Sequence, residues 1–306
     1  MKWSMPSFLK IKRRLWRLAG NLLLAKVIST LSRRLEASGA ESALLDARIL
    51  TGLALGLDRP VYGHEDFELD AAATSRLDAL AMRREAGEPV SRMRGWREFW
   101  SMRFILTPAC LDPRPDSETL VRAAIEKCRQ KTGKPLKILD YGTGSGCLLL
   151  AVLSECKEAE GIGVDRQPEA ISTALANARY HKLDDRIRLL VSHWCDALVD
   201  EEKADIILAN PPYIPSADID ALSREVRFHD PILALDGGAD GLVAWRELMP
   251  RICQRLVPDG IALLEIGQGQ EREIAALAEA HGLSVGESWH DLAGILRVMA
   301  INNSNK

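Results

Sequence analysis

A chain of 306 residues, 47% of them hydrophobic, can build one large core or a small domain beside a catalytic-sized one, which excludes wholesale disorder. Six scattered cysteines with no C-x-x-C pair, and no histidine at ligand spacing, argue against a disulfide framework or a metal site, so free thiols in a reducing compartment are expected. The net charge of −3 is uneven: residues 1–35 hold nine Lys/Arg and no acid, leaving −12 on the remainder, and an acidic body is a poor partner for a phosphate backbone.

The basic head (Lys2, Lys10, Lys12, Arg13, Arg14, Arg17, Lys26, Arg33 and Arg34) reads as an N-terminal extension or first helix. It fits a solvated helix face, a surface that meets nucleic acid or ribosomes, or a removable organellar transit peptide. Only eight uncharged residues separate Arg17 from Lys26, far short of the ~20 that span a bilayer, so no membrane segment is expected.

Apolar residues at helical spacing over 5–37, 41–56 and 70–86 predict a small all-helical domain, bounded at 36–90. Gly87-Glu88-Pro89 stops its third helix, and the bulky residues alternating from Trp96 to Leu106 predict a β-hairpin linker within 91–112. Residues 113–306 are then a second domain. It opens with Pro113-Arg114-Pro115-Asp116-Ser117-Glu118 before the helical run Leu120, Val121, Ala124, Ile125; Asp116 or Ser117 can cap that helix, but capping does not account for Arg114 and Glu118.

From residue 136 the pattern becomes strand, glycine-rich turn, helix, strand. Leu136–Tyr141 is strand-like, Gly142-Thr143-Gly144-Ser145-Gly146 is the turn, a helix opens at Leu148, and Gly161–Asp165 is a second strand ending in a carboxylate. Glycines let a backbone approach a ligand closely, and an acid at that second strand end can accept hydrogen bonds from two ribose hydroxyls. The spacing is G-x-G-x-G, and Asp140 at the first strand end would repel a pyrophosphate but suits the ammonium of S-adenosylmethionine. The alternation continues through a helix at 168–181, strands at 187–191 and 204–209, a helix near 242–256, a strand at 261–266, a helix at 270–281 and a final apolar run at 295–301. That is a doubly wound, Rossmann-like α/β sheet, with ligands expected at the strands' carboxyl ends, where Asp140, Gly142–Gly146, Asp165, Trp194 and Asn210 all fall.

Asn210-Pro211-Pro212-Tyr213 follows the buried-strand pattern 204–209. As an isolated tetrapeptide it is an Asn-Pro turn. At the end of a cofactor-binding strand it can hold a planar NH2: the Asn210 and Pro211 carbonyls accept two amino hydrogens, and the Tyr213 ring covers the plane.

With these motifs placed, the chain resembles the protein-(glutamine-N5) methyltransferases of the HemK/PrmC type, which methylate class 1 peptide chain release factors. The matching stretches include Gly95–Trp100, Pro113–Glu118, Asp140–Gly146, Val164-Asp165, Asn210–Tyr213, Gly237–Gly241 and Glu265-Ile266-Gly267, spread over about residues 40–301. The resemblance implies a class I S-adenosylmethionine-dependent methyltransferase domain behind a helical N-terminal domain that helps recognise the release factor. It places Asp140, Gly142, Thr143, Gly144, Ser145, Gly146, Asp165, Trp194 and Asn210 at the S-adenosylmethionine, and Asn210, Pro211, Pro212, Tyr213, Arg114 and Glu118 at the substrate glutamine of a Gly-Gly-Gln loop. By the same resemblance, Asn210, Pro211 and Tyr213 are expected to carry the catalysis. A cytoplasmic monomer is expected, or an organellar one if residues 1–35 are a transit peptide. Three positions depart from the family: His193 stands where an acid usually precedes the tryptophan, with Asp196 as a stand-in, and Asp112 and Tyr141 replace apolar residues. Two other readings use the same motifs: an N6-adenine nucleic-acid methyltransferase, which the acidic body disfavours, and a non-catalytic binding protein that retains the cofactor fold.

Overall fold

Leu24, Ile28, Leu31 and Leu35 recur on one helical face and are all buried. The computed structural model describes residues 23–131 and 135–303, which divide into two units at the Arg94–Gly95 boundary. In the first, those side chains of α1 (residues 23–37) pack with Ala47 and Leu50 of α2 (Ala43–Ala54) and Leu77 and Ala81 of α3 (Ala71–Glu85). Each leucine or isoleucine so buried contributes roughly 1.5–3 kcal/mol. The Asp70 carboxylate accepts from the Ala73 N–H at 2.6 Å and caps α3, and the positive φ of 98° at Gly87 ends the helix region before the short α4 (Val90–Arg94). Arg84 and Asp46 form a buried ion pair at 2.7 Å. Of the basic head, Arg34 pairs within this unit with Glu85 and Asp78, whereas Lys2, Lys10, Lys12, Arg13, Arg14 and Arg17, and with them the transit-peptide expectation, lie outside the described residues.

The second unit begins with the hairpin β1 (Trp96–Phe99) and β2 (Met102–Ile105). Its two turn residues, Trp100 and Ser101, adopt φ of 52° and 55°, a left-handed pair that normally selects Asn or Gly. The Glu118 carboxylate supports the turn by accepting from the Trp100 N–H at 2.8 Å. Phe99 and Phe104 are buried in the core of this unit, so the hairpin expected as a linker is built into it. Asn177 fixes the far end: its side chain accepts from the Ile105 N–H at 2.7 Å and donates to the carbonyls of Ile105 at 3.1 Å and Ser145 at 2.9 Å.

Beyond the hairpin a seven-stranded sheet runs in the order β5-β4-β3-β6-β7-β9-β8 among the described residues. β3 (Lys137–Tyr141), β4 (Glu160–Asp165), β5 (Ile187–Val191), β6 (Ala204–Ala209) and β7 (Leu256–Glu265) are parallel; β9 (Leu296–Asn303) runs antiparallel between β7 and β8 (Leu283–His290). One apolar cluster joins the sheet to α5 (Glu118–Gln130) and α6 (Cys147–Glu155), the other to α9 (Val243–Arg255) and α10 (Glu271–Ala280). α7 (Pro168–Tyr180) follows β4, and α8 (Arg224–His229) lies in the long connection after β6. The chain builds outward from β3 to β5 and then returns to lay β6 against the other side of β3, so the switch point opens between β3 and β6. The sheet is mixed because of β9, and β8 is absent from the sequence expectation because residues 284–288 of this edge strand are exposed and carry no apolar run.

Asn177→Ala removes three hydrogen bonds made by a fully buried side chain, two of them to the partly buried Ile105 backbone. Urea unfolding should show a loss of about 3 kcal/mol, and a loss below about 1 kcal/mol would mean that solvent or a relaxed backbone takes over these contacts.

Candidate active site

The turn after β3 works because of glycine. Gly142, Gly144 and Gly146 have φ of 71°, 56° and 79°, a region that L side chains rarely occupy. The N–H groups of Gly142 and Thr143 both donate to the Val164 carbonyl at 2.9 Å, folding the turn back onto β4. A Cβ on Gly146 would come within 3.2 Å of Leu150 and 3.3 Å of Ala174, so this glycine lets α6 approach α7, whereas nothing lies closer than 3.9 Å to a Cβ on Gly142 or Gly144. Gly142, Thr143, Gly144 and Ser145 line the mouth of a cavity at the switch point; Gly146 packs behind it.

Two acids flank the turn. Asp165 lines the cavity, and its two oxygens accept from the Gly144 and Gln167 N–H groups, each at 2.9 Å; burial raises its carboxyl. Asp140 is fully buried beneath the turn and is not in the cavity lining. Its Oδ2 accepts from the Thr143 hydroxyl at 2.6 Å, its Oδ1 has no hydrogen-bond partner, and burial pushes its carboxyl up to about 7. An acceptor left open beside a glycine cradle fits a cation-bearing ligand.

Trp194 forms a wall of the cavity with a positive φ of 53°, its ring edge-on to Tyr141 and its indole N–H donating to Glu247 at 2.7 Å. Glu247 thereby fixes the orientation of the indole ring. His193 also lines the cavity, with its Nε2 3.3 Å from Glu247 and its Nδ1 3.6 Å from Asp196. Asp196, expected as a stand-in acid, is absent from the cavity lining and pairs with Arg251.

Asn210, Pro211 and Pro212 line the opposite wall. The Asn210 amide nitrogen donates to the Ser117 hydroxyl at 3.3 Å, while its Oδ1 and the Pro211 carbonyl accept no hydrogen bond among the described residues. Ser117 makes no side-chain cap of α5; its hydroxyl meets Asn210 instead. Tyr213 lies outside this lining and instead walls an adjoining cavity with Gly267 and Gln270, where burial pushes its phenol up to about 12. Behind the tetrapeptide, the Ile214 N–H donates to the Leu235 carbonyl, the Gly237 N–H to the Ile214 carbonyl, and the Gln270 amide to the Tyr213 carbonyl at 3.0 Å. A Cβ on Gly237 would fall 2.9 Å from the Pro212 carbonyl, which accounts for the glycine at that position.

Arg114 lines the cavity and pairs with the buried Asp230, whose other oxygen accepts from the Asp112 N–H at 3.1 Å. The Asp112 side chain, unusual at its position, pairs with Arg97 at 3.1 Å. Glu118 is not in the cavity; it holds the hairpin turn. The sequence marks Ser117 only as a helix cap and gives no role to Glu247 or Gln270. Their partners lie 93, 53 and 57 residues away in the chain, and of the three only Ser117 falls in a family-like stretch.

Comparison with known proteins places this site in context. A family profile described as "Methyltransferase domain" matches residues 132–277, and one described as "PrmC N-terminal domain" matches residues 26–95. The release factor glutamine methyltransferase of Bradyrhizobium diazoefficiens is 47% identical over 274 residues, 89% of this chain and 92% of that protein. The enzyme of the same name from Rhodospirillum rubrum is 43% identical over 89% of this chain and 83% of its own length. Among solved structures, the hMettl16 catalytic domain superposes with a TM-score of 0.52 at 13% identity, covering 76% of this chain and 82% of that one, which shows a shared fold. Among the described residues no helix is long and apolar enough to cross a membrane, and no group of His, Cys, Asp and Glu is arranged to hold a metal.

The raised Asp140 carboxyl has a stability consequence. Between its ordinary value near 3.8 and about 7 the folded chain holds a proton that the unfolded chain has lost, so stability falls as pH rises through that window. Asp140→Asn removes this dependence. In cofactor-free urea unfolding the variant should gain on the wild type steadily from acid to neutral pH, and a difference that does not change with pH would show that Asp140 is ionised in the fold.

Proposed function

The chain belongs to the release factor glutamine methyltransferase family, and from that premise we propose that it methylates the side-chain amide nitrogen, N5, of a glutamine in the Gly-Gly-Gln loop of a class 1 peptide chain release factor. It is an S-adenosylmethionine-dependent methyltransferase. The bound cofactor supplies a methyl group on a sulfonium. The amide nitrogen forms the new N–C bond as the C–S bond breaks, the bonding pair stays on sulfur as a thioether, and the methylated nitrogen gives up one proton.

The observation that carries this reading is the acceptor-only edge at the end of β6. Asn210 turns its nitrogen to Ser117, which leaves Oδ1 and the Pro211 carbonyl for the two hydrogens of the substrate NH2. Neither proline has an N–H to compete. Held by two acceptors, the nitrogen is oriented for in-line attack and its developing positive charge is stabilised. Tyr213 acts from the adjoining cavity by fixing the turn.

On the cofactor side, Asp165 retains acceptor capacity for ribose hydroxyls, Gly142–Ser145 let the backbone come close, and the open oxygen of Asp140 suits the ammonium. Trp194 walls the adenine region, where His193 takes the place of the acid expected there. Arg114 faces the substrate side from the cavity wall. The helical unit up to Arg94 recognises the release factor, and the enzyme works as a cytoplasmic monomer.

Asn210→Ala should lower the rate of label transfer from methyl-labelled S-adenosylmethionine to purified release factor by about 10³-fold or more, with calorimetric cofactor affinity within about threefold of wild type. Equal losses of transfer and cofactor binding would assign Asn210 to the cofactor alone, and label entering DNA but not release factor would overturn the substrate.

A further inference from the structure

Behind Asn210 lies a carboxylic acid that the chemistry above leaves unused. Glu265 ends β7, and the parallel pairing of Ala209 with Leu264 sets it beside Asn210 at the end of β6. It is 2% exposed, and its Oε2 makes no hydrogen bond. The polar and charged groups that act on it are Asp116 and Ser117 before α5, Asn210 and Tyr213 after β6, and Arg297 on β9. Arg297 does not neutralise it outright, because that guanidinium is already bound to Asp291 at 2.8 Å and Asp116 at 2.7 Å.

An asparagine amide has nearly the same shape after a half-turn about its last bond, so packing alone does not decide which end meets the substrate. The Ser117 hydroxyl does not decide either, since it both donates and accepts. A carboxylate only accepts. Resting on the reading of Asn210 as the substrate acceptor, we propose that Glu265 is a positioning residue whose ionised carboxyl holds the Asn210 nitrogen inward and its oxygen on the cavity, and whose protonation releases that setting. A protonated Glu265 can donate to Oδ1, which would turn the Asn210 NH2 toward the substrate NH2 and set donor against donor.

Burial pushes the Glu265 carboxyl up to about 7, against the pull of Ser117, Arg297 and Asn210. Its ionised fraction therefore grows through neutrality, and the methyl-transfer rate should grow with it. Asp140 sits in the same range but lies under the cofactor turn, and the Glu265→Gln variant, which leaves Asp140 in place, separates the two contributions.

The test is single-turnover methylation of purified release factor at saturating S-adenosylmethionine across pH values on both sides of neutrality. Wild type should show a rising limb. Glu265→Gln, which keeps the shape but can present either an oxygen or an NH2, should be slower by roughly 30- to 100-fold and lack that limb, with calorimetric cofactor affinity unchanged. Glu265→Asp, still ionisable, should be slower yet keep the limb. A flat wild-type profile, or a Glu265→Gln enzyme that keeps the wild-type rate or the limb, overturns the proposal without touching the assignment of Asn210. If Asn210→Ala itself retains full activity, the underlying reading fails and this one with it.

Discussion

A parallel strand buried on both faces can present a polar side chain only where it ends. All six residues of β6 are buried, as are Ile138–Tyr141 of β3 and residues 260–265 of β7. The chemistry-bearing groups are therefore pressed to the carboxyl ends of three neighbouring strands, with Asn210 and Glu265 side by side after the Ala209–Leu264 pair and Asp140, paired with Leu208, one row further in than that pair. Strand register sets their spacing, so no loop has to bring them together. The same confinement raises both acids, because the water that would stabilise their charge is excluded. Groups held away from their preferred protonation state cost stability, and that cost concentrates at the site, as functional positions often require.

The two walls of the cavity are built by different means. The turn after β3 is shaped by backbone: three left-handed glycines and a carbonyl of β4 that accepts twice. The wall formed by Asn210–Pro212 is shaped by support from behind, through Gln270, the 235–238 segment and the Ser117 hydroxyl.

The order of helices and strands was legible wherever a pattern was continuous. Ile187–Val191 and Ala204–Ala209 are apolar runs flanked by turn residues, and the structure forms strands over those same residues. The glycine turn was legible because its spacing has a mechanical cause. β8 was not, because an exposed edge strand such as Ser284–Ser288 has no apolar signature. Ser117 was misread for a different reason: a serine before a helix is a cap by local rules, and only a partner 93 residues away draws its hydroxyl elsewhere. Tyr213 and Glu118 show the same limit, since a motif marks residues that belong to a site without saying which of them touch the cavity and which hold the ones that do.

The hairpin turn at Trp100-Ser101 has one further implication. Its left-handed backbone carries neither the Asn nor the Gly that would make it comfortable, and it relies on a carboxylate eighteen residues later in the chain. The hairpin and the start of α5 are thus a single heritable module, although the sequence separates them. A chimera that takes the Gly95–Trp100 stretch from one relative and the Pro113–Glu118 stretch from another keeps this turn contact only if the two donors agree on how the turn is held. Recombination within the family should therefore find its tolerated breakpoints outside residues 95–118.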